Sequence, residues 1–312
     1  MPLSAQDLAS TYSILAFDPV ANQLGVAVQS HYFGVGCAVP WIQPGVGAVA
    51  TQSMVNVAFG PLGLTLLRAG LTPQQALDAL LAGDTDPERR QVALMDAQGR
   101  TATHTGRRCI PAAGHQRGDN YSVQANLMAK ETVWPAMAQA FEQSGGDLAA
   151  RMLAALKAAE AQGGDIRGKQ SAALLVVEND LASPPWQCRI YDLRVDDSRE
   201  PLAELERLLE VARAYRETQR AFAILEDASG ETERLAQAKA LFQAAPSLMP
   251  DNPEQLFWFG LNLVRAGFVE EALAYFRETY AVAPHWRELP PRLAVAGLLP
   301  DDPALIQRIQ EA

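Results

Sequence analysis

The sequence TYSILAF at residues 11–17 is followed, after a short turn, by LGVAVQS at residues 24–30. Both segments are rich in β-branched and aromatic residues, which favour strands, and Asn22 between them is a typical turn residue. The two segments therefore predict a β-hairpin at the start of the fold. Two more short strands, at residues 37–42 and 46–51, are predicted before the first helix.

Helix pairs alternate with strands in the rest of this region. The predicted elements are a helix from about residue 56 to 70, a helix capped by Thr72, a hairpin over 91–105, helices over 131–143 and 147–161, and strands over 171–177 and 189–195. Residues 172–177 are apolar at every position, which indicates a strand covered on both faces. The order predicts an α+β fold with two stacked antiparallel sheets and helices outside, a four-layer αββα sandwich.

The composition changes after Asp197, where helical periodicity replaces the strand pattern. A set of apolar and turn residues recurs there at an offset of 34: Ala238, Phe242, Ala245 and Pro250 correspond to Ala272, Phe276, Thr279 and Pro284. This offset is typical of tetratricopeptide repeats, and the alternative is an ordinary pair of helical hairpins. We therefore predict a sandwich domain at residues 1–200 and an all-α, tetratricopeptide-like helical region at 201–312.

Composition and charge argue against several classes of function. The chain has 312 residues, a formal net charge of −10, 48% hydrophobic and 20% charged residues, which is typical of folded globular proteins. An acidic chain without a basic run lacks a nucleic-acid surface, and no apolar run reaches the roughly 20 residues that span a bilayer. The first ten residues lack a signal-peptide pattern and the three cysteines are widely spaced, so we expect a cytoplasmic protein.

Metal and cofactor sites find little support in the sequence. The four histidines show no metal-ligand spacing, and we expect no cofactor. Asp192, Arg194 and Asp196 alternate along a predicted strand and so share one face, either as a self-neutralising charge ladder or, as the weaker alternative, with Asp192 and Asp196 binding a cation. The segment from Gly163 to Lys169 resembles a phosphate-binding loop, but a helix precedes it and a strand follows. That order is the reverse of the motif, so we interpret the segment as a turn.

Six short motifs carry a resemblance to a known family. They are YSI at 12–14, GVAV at 25–28, GVGAVATQ at 45–52, YSVQAN at 121–126, GKQSAA at 168–173 and DLRVDD at 192–197. The opening hairpin and the segment at 45–52 resemble those of Ntn hydrolases such as proteasome subunits. The whole set resembles more closely the bacterial family called domain of unknown function 1028, which is grouped with the Ntn hydrolases. The resemblance extends from Thr11 to about Asp197 and implies the αββα fold.

The resemblance to Ntn hydrolases also implies a particular chemistry. These enzymes cleave amide bonds with the side chain of the first residue of the mature chain, whose α-amine, with a pKa of roughly 7.7–8.0, accepts the proton. The resemblance places Thr11 at this position, with Ser13 and Ser10 as lesser candidates. Thr11 carries a peptide nitrogen in the encoded chain, so this mechanism requires removal of residues 1–10.

Candidate substrate-binding residues follow from the same resemblance. Backbone N–H groups at Thr51 and Gln52 are candidates for an oxyanion hole, and Gln124, Asn126 and Ser171 are candidates for hydrogen bonds to a substrate. The resulting hypothesis is an amidohydrolase that acts on a small amide or peptide-like substrate.

Two alternatives to this hypothesis stay open. The first is a non-catalytic ligand-binding or assembly protein whose helical tail recruits a protein partner. The second is catalysis by an internal Ser or Thr with an Asp or Lys as base. Because Ntn-like sandwiches often self-associate, we expect a homo-oligomer, and we expect neither nucleic-acid nor membrane binding.

Overall fold

The computed structural model describes residues 8–226, 231–243 and 252–312. The chain divides into two compact units between Leu209 and Glu210. The first unit contains all strands of the described residues, and the second consists of helices and turns. Within these residues no helix is both long enough and apolar enough to span a lipid bilayer.

Strands and helices follow one another along the first unit. The strands are β1 (Leu8–Ala9), β2 (Thr11–Asp18), β3 (Gln23–Ser30), β4 (Pro40–Gln43), β5 (Gly47–Met54), β6 (Arg90–Asp96), β7 (Thr101–Thr105), β8 (Gly114–Gly118), β9 (Tyr121–Ala125), β10 (Ser171–Glu178) and β11 (Arg189–Val195). The helices are α1 (Phe59–Arg68), α2 (Pro73–Ala82), α3 (Val133–Gln143), α4 (Leu148–Ala161) and the beginning of α5 (Pro201–Glu226).

The strands form two antiparallel sheets. Sheet A has the order β1-β5-β6-β7, with β4 also paired to β5, and sheet B has the order β11-β10-β3-β2-β9-β8. The predicted opening hairpin forms β2 and β3, with Thr11 opposite Ser30. The mixed α+β class and the two antiparallel sheets are therefore confirmed.

Two parts of the first unit differ from the sequence prediction. The sequence predicts one strand over residues 37–42, but the structure has a 3₁₀ turn at Val35–Cys37 and a strand only at Pro40–Gln43. Gly34 precedes the turn with a φ of 64°, a left-handed conformation that ends the extended backbone. The prediction also lacks the hairpin of β8 and β9, because GHQRG in β8 contains no β-branched residue.

Side chains of β2 alternate between two buried environments. On one face, Leu15 packs with Ala50 and Met95 of sheet A in an apolar core between the sheets. On the other face, the Tyr12 hydroxyl donates a hydrogen bond to Glu160 Oε2 of α4 at 2.7 Å. Strand β2 is therefore covered by sheet A on one side and by helices on the other.

Helices cover the outer face of each sheet. Helices α1 and α2 contact β4 to β7 of sheet A, and α3 and α4 contact strands of sheet B. Thr72 caps α2 as predicted, because its side chain accepts a hydrogen bond from Gln75 N–H. Strand β10 is buried at every position from 171 to 177, which confirms that both of its faces are covered.

The second unit is a bundle of short helices with an aromatic core. After the end of α5 it contains α6 (Thr232–Phe242), α7 (Glu254–Arg265), α8 (Val269–Val282), α9 (Leu289–Val295) and α10 (Pro303–Gln310). The Phe242 ring stacks on the ring of Phe259, with the ring centroids 4.1 Å apart. This contact joins α6 to α7.

Positions related by the offset of 34 residues have matching burial. Ala238 and Phe242 on α6 are buried, and so are Ala272 and Phe276 on α8. The remaining positions of the first predicted repeat, Ala245 and Pro250, lie outside the described residues.

Helix α1 approaches β4 closely at Gly60, where an added Cβ would lie 2.3 Å from the Trp41 ring. We expect Gly60→Ala to lower the free energy of unfolding by about 1–3 kcal/mol, because overpacking outweighs the roughly 1 kcal/mol gained in helix propensity. The matched control is Gly83→Ala, whose Cβ would meet nothing nearer than 3.7 Å. Denaturant unfolding measures both variants, and equal stability would contradict the close contact between α1 and β4.

Candidate functional site

Polar side chains from both sheets meet in the layer between them. Ser13 on β2 donates a hydrogen bond from its Oγ to Gln52 Oε1 on β5, at 2.7 Å. Gln124 on β9 donates from its Nε2 to the same Ser13 oxygen, at 2.6 Å. All three residues are fully buried. The Ser13 hydroxyl therefore connects sheet B to sheet A.

Gln91 on β6 extends this network. Its Oε1 accepts hydrogen bonds from Gln52 Nε2 at 2.7 Å and from Asn126 Nδ2 at 2.9 Å. Its Nε2 donates to Ala125 O and to Thr105 Oγ1, both at 2.9 Å. Because both ends of its amide are engaged, Gln91 holds the Gln52 and Asn126 side chains in fixed positions.

The network consists of amides and hydroxyls and reaches the surface at His115. The Nδ1 of His115 lies 2.8 Å from Thr105 Oγ1. Partial burial and, to a smaller extent, the charge of Arg117 lower the pKa of His115 below its usual value of 6.5. The imidazole is therefore neutral at neutral pH, and this hydrogen-bonded network is uncharged.

The backbone crosses from sheet A to sheet B immediately before Thr11. Strand β1 pairs with β5 in sheet A, whereas β2 begins in sheet B at Thr11. Thr11 lies two residues before Ser13 and so faces the same layer between the sheets. Its Oγ1 donates to Ala9 O at 2.8 Å, and its carbonyl accepts from Asn126 N at 3.1 Å and Gln52 Nε2 at 3.3 Å. The predicted nucleophile is thus joined to the polar network through its carbonyl.

Two donors hold the peptide carbonyl of Ser10. Ser30 Oγ donates to this oxygen at 2.5 Å and Arg167 Nη2 donates at 2.9 Å. Asp165 fixes the guanidinium, because its carboxylate accepts from Arg167 Nη2 at 2.7 Å and from Arg167 Nε at 3.1 Å. The Asp165 side chain is completely buried. A partly buried ion pair, with a fully buried carboxylate, therefore directs a guanidinium to the peptide bond that follows Ser10.

Two predicted binding residues lie outside the network. Thr51 belongs to strand β5, its N–H donates to Val39 O at 3.1 Å, and its side chain donates to Asn56 O at 3.1 Å. The Thr51 N–H is therefore engaged within the fold, and its role in an oxyanion hole stays a prediction. Ser171 Oγ accepts from Val35 N at 3.1 Å, so this side chain holds the turn that follows β3.

The two acidic candidates for a metal site have different surroundings. The Asp192 carboxylate accepts from Arg194 Nε at 2.8 Å and lies 3.7 Å from Arg189 Nη1. Asp196 is exposed at the end of β11. Among the described residues, no group of three potential metal ligands comes together. These contacts favour the charge ladder over the cation site.

Gln91, Asp165 and Arg167 are functional candidates that sequence reasoning missed. A signal for Gln91 was present, because it alternates with Ala93 in a predicted strand and thus falls on a face that must be buried. Asp165 and Arg167 lie in the loop that resembled a phosphate-binding motif, between α4 and β10. The order of helix, loop and strand is confirmed there. No local pattern indicated that this loop reaches Ser10.

Comparison with known proteins places the chain in a family. Residues 11–205 match the model of a family of unknown function, DUF1028. The chain belongs to this family. The crystal structure of protein SPO2555 from Silicibacter pomeroyi, also assigned to DUF1028, is 32% identical to this chain with a TM-score of 0.58. That similarity covers 64% of this chain and 84% of the other. A search of curated proteins finds no match.

The DUF1028 match begins at Thr11 itself. It includes all the side chains of the buried network and the Asp165–Arg167 pair. Residues 8–10, which form β1 and the crossing between the sheets, precede it.

The central position of Gln91 yields a test of the network. We expect Gln91→Leu to destabilise the protein by about 1–3 kcal/mol, because it removes a hydrogen-bond partner from buried groups of Gln52, Asn126 and Ala125. Gln74→Leu is the matched control, since Gln74 is exposed on α2 and its replacement should have little effect. Denaturant unfolding compares the two, and an undisturbed Gln91→Leu protein would show that the network does not stabilise the fold.

Proposed function

We propose that this DUF1028 protein is an Ntn-type amidohydrolase that acts on a small amide or peptide-like substrate, with Thr11 as nucleophile and without a cofactor. The observation that carries the proposal is the pair of hydrogen bonds from Ser30 and Arg167 to the Ser10 carbonyl. Preorganised donors of this kind stabilise the negative charge that forms on an oxygen when a carbonyl is attacked. They act at the one peptide bond whose cleavage makes Thr11 an N-terminal residue.

The proposed first reaction is cleavage of the Ser10–Thr11 bond. Thr11 Oγ1 attacks the carbonyl carbon of Ser10, and the hydroxyl proton passes to the departing Thr11 nitrogen. The C–N bond breaks and leaves an ester between Ser10 and Thr11. Water then hydrolyses the ester, which releases residues 1–10 with a carboxylate on Ser10 and frees the Thr11 hydroxyl and α-amine.

The freed amine supplies the base that the encoded chain lacks. Its ordinary pKa of roughly 7.7–8.0 suits proton transfer from Thr11 Oγ1 at working pH. Two buried oxygens beside Thr11, Ser10 Oγ and Asn126 Oδ1, have no hydrogen-bond partner among the described residues. With Ser10 removed, Asn126 and the neighbouring Gln52 amide are the groups that we expect to orient a substrate amide.

Fold and position add further support. Helices flank each of two facing sheets, in agreement with the αββα sandwich of Ntn hydrolases, and Thr11 begins a central strand of sheet B. Ser13 lies two residues after Thr11 on β2, in the same layer between the sheets, and Gln124 is hydrogen-bonded to it. We assign them to the wall of the substrate site, because the hydrogen-bond partners of Ser13 within the described part of the chain are amides and not a base.

The rival is a non-catalytic ligand-binding protein, and one observation favours it. The described network is uncharged and made of amides and hydroxyls, which suit recognition of a polar ligand as well as catalysis. In that case residues 1–10 stay attached.

For the second unit we propose a separate role as a docking module that resembles tetratricopeptide repeats. The support is the matched burial of Ala238 with Ala272 and of Phe242 with Phe276, across the offset of 34 residues. Stacked helical repeats present surfaces that bind peptides or partner helices. A protein partner or a second copy of this chain is the expected ligand.

Intact mass and N-terminal sequencing test the proposed cleavage. The purified protein is expected to lose residues 1–10 and to begin at Thr11, and Thr11→Ala should block both this cleavage and amide hydrolysis. Ser30→Ala and Arg167→Lys should slow cleavage by about 10²- to 10³-fold, because each weakens a donor to the developing oxyanion. Arg107→Ala, at a side chain that is 92% exposed, is the control and should cleave normally.

Two results would overturn the proposal. One is an active protein that still begins at Met1, which removes the free-amine mechanism. The other is a Thr11→Ala protein that keeps its hydrolytic activity.

A further inference from the structure

A groove of about 690 Å³ opens at the edge of the first unit, between β4 of sheet A and β11 of sheet B. Its apolar lining includes Ile42 from β4 and Leu175 and Val177 from β10. The last two belong to the core between the sheets. The groove is therefore an open end of the inter-sheet layer, within the size range of small-molecule sites.

Three arginines line this groove. Arg68 comes from the last turn of α1, and Arg189 and Arg194 come from β11. Asp192 is the one acidic residue among the described residues of the lining, and it accepts a hydrogen bond from Arg194 Nε at 2.8 Å. Its carboxylate lies 3.7 Å from Arg189 Nη1. Three positive charges therefore face a single negative charge, in a chain whose formal net charge is −10.

Arg68 and Arg194 are held in place and keep donors for a ligand. The Arg68 guanidinium donates to the Gln43 side chain, and the stem of Arg194 packs on Gly36, where an added Cβ would lie 3.3 Å from Arg194 Cγ and Cδ. A guanidinium has five N–H donors, so each of these contacts uses only part of its capacity. Side chains that are already anchored lose less entropy when they bind an anion.

We propose that this groove binds a small organic oxyanion, with a carboxylate or phosphate on the arginines and an apolar body against Leu175, Val177 and Ile42. Guanidinium groups match the oxygens of both headgroups with paired N–H donors. An inorganic ion can contact the arginines but has no apolar part to pack against these residues, so we expect it to bind more weakly. The proposal goes beyond the hydrolase function and does not depend on it.

The groove is separate from Thr11 along the strands. Ser30, opposite Thr11 in β2–β3, is also opposite Ser171 at the start of β10. Leu175 lies four residues further along β10, about 13 Å away at roughly 3.3 Å per residue. An oxyanion in the groove therefore occupies a second site and does not occupy the position of the Ser10–Thr11 bond.

Cys37 is a natural reporter for the groove. It lines the groove, and Arg194 Nη1 lies 3.6 Å from its sulfur. Cys37 is exposed, whereas Cys109 and Cys188 are buried. Alkylation of the native protein should therefore occur first at Cys37, with Cys37→Ser as the control for labelling of the other two thiols.

The first experiment compares an anionic and a neutral alkylating reagent on the full chain. We expect the ratio of iodoacetate to iodoacetamide rates at Cys37 to fall about three- to fivefold in Arg189→Ala and in Arg68→Ala, since each removes one positive charge from the groove that Cys37 lines. Arg107→Ala, an exposed arginine outside the groove, should keep the original ratio. Ratios that stay equal in all four proteins would show that the groove does not attract anions.

The second experiment measures protection of Cys37 from iodoacetamide by benzoate, phenyl phosphate, inorganic phosphate and neutral benzamide. Saturable protection by benzoate or phenyl phosphate supports the site if the affinity derived from it falls at least about tenfold in Arg189→Ala. The compound that protects better identifies the preferred headgroup. Protection as strong from benzamide or from inorganic phosphate overturns the proposal, and so does the absence of saturable protection. Isothermal titration calorimetry on the Cys37→Ser protein checks binding without the reagent, and a lack of binding there would also overturn it.

Discussion

The hydrogen bond from Ser13 Oγ to Gln52 Oε1 joins the two sheets at a depth that water does not reach. A buried amide must find partners for its donors and its acceptor, because each orphaned group costs about 1–3 kcal/mol. Gln52 meets this requirement with Ser13, Gln91 and the backbone of Thr11 and Gln124. The requirement sets the register of sheet B against sheet A and places the Thr11 carbonyl.

The layer between the sheets thus has two chemically different halves. One half is apolar and is filled by residues such as Leu15, Val26 and Met95. The other half is the neutral network, which ends beside Thr11 and reaches the surface at His115. The apolar half provides burial free energy, while the polar half specifies one arrangement, since directional hydrogen bonds tolerate fewer alternatives than apolar contacts.

The buried network between the sheets contains no charged side chain among the described residues, but a charged pair lies next to it. The Asp165–Arg167 pair is partly buried and directed to the Ser10 carbonyl, and the arginine groove lies elsewhere in the same unit. Desolvating an ion pair is costly, and the pair is retained where additional hydrogen bonds compensate it. The contact of Arg167 with Ser10 is such a bond. The geometry therefore concentrates electrostatic effects on one peptide bond.

Local sequence determined the strands, the helix caps and the faces on which residues lie. Side chains alternate along a strand, which places Thr11 and Ser13 on one face of β2, and Thr72 as an N-cap predicts the start of α2. Both alternation and capping act over a few residues. The prediction of Gln124 and Asn126 as substrate-binding candidates required the resemblance to a family. Tertiary structure alone decided that Gln91 connects Gln52 to Asn126 and that Arg167 reaches Ser10, 157 residues away in sequence. These contacts join strands and loops that meet only when the two sheets pack, so no local pattern encodes them.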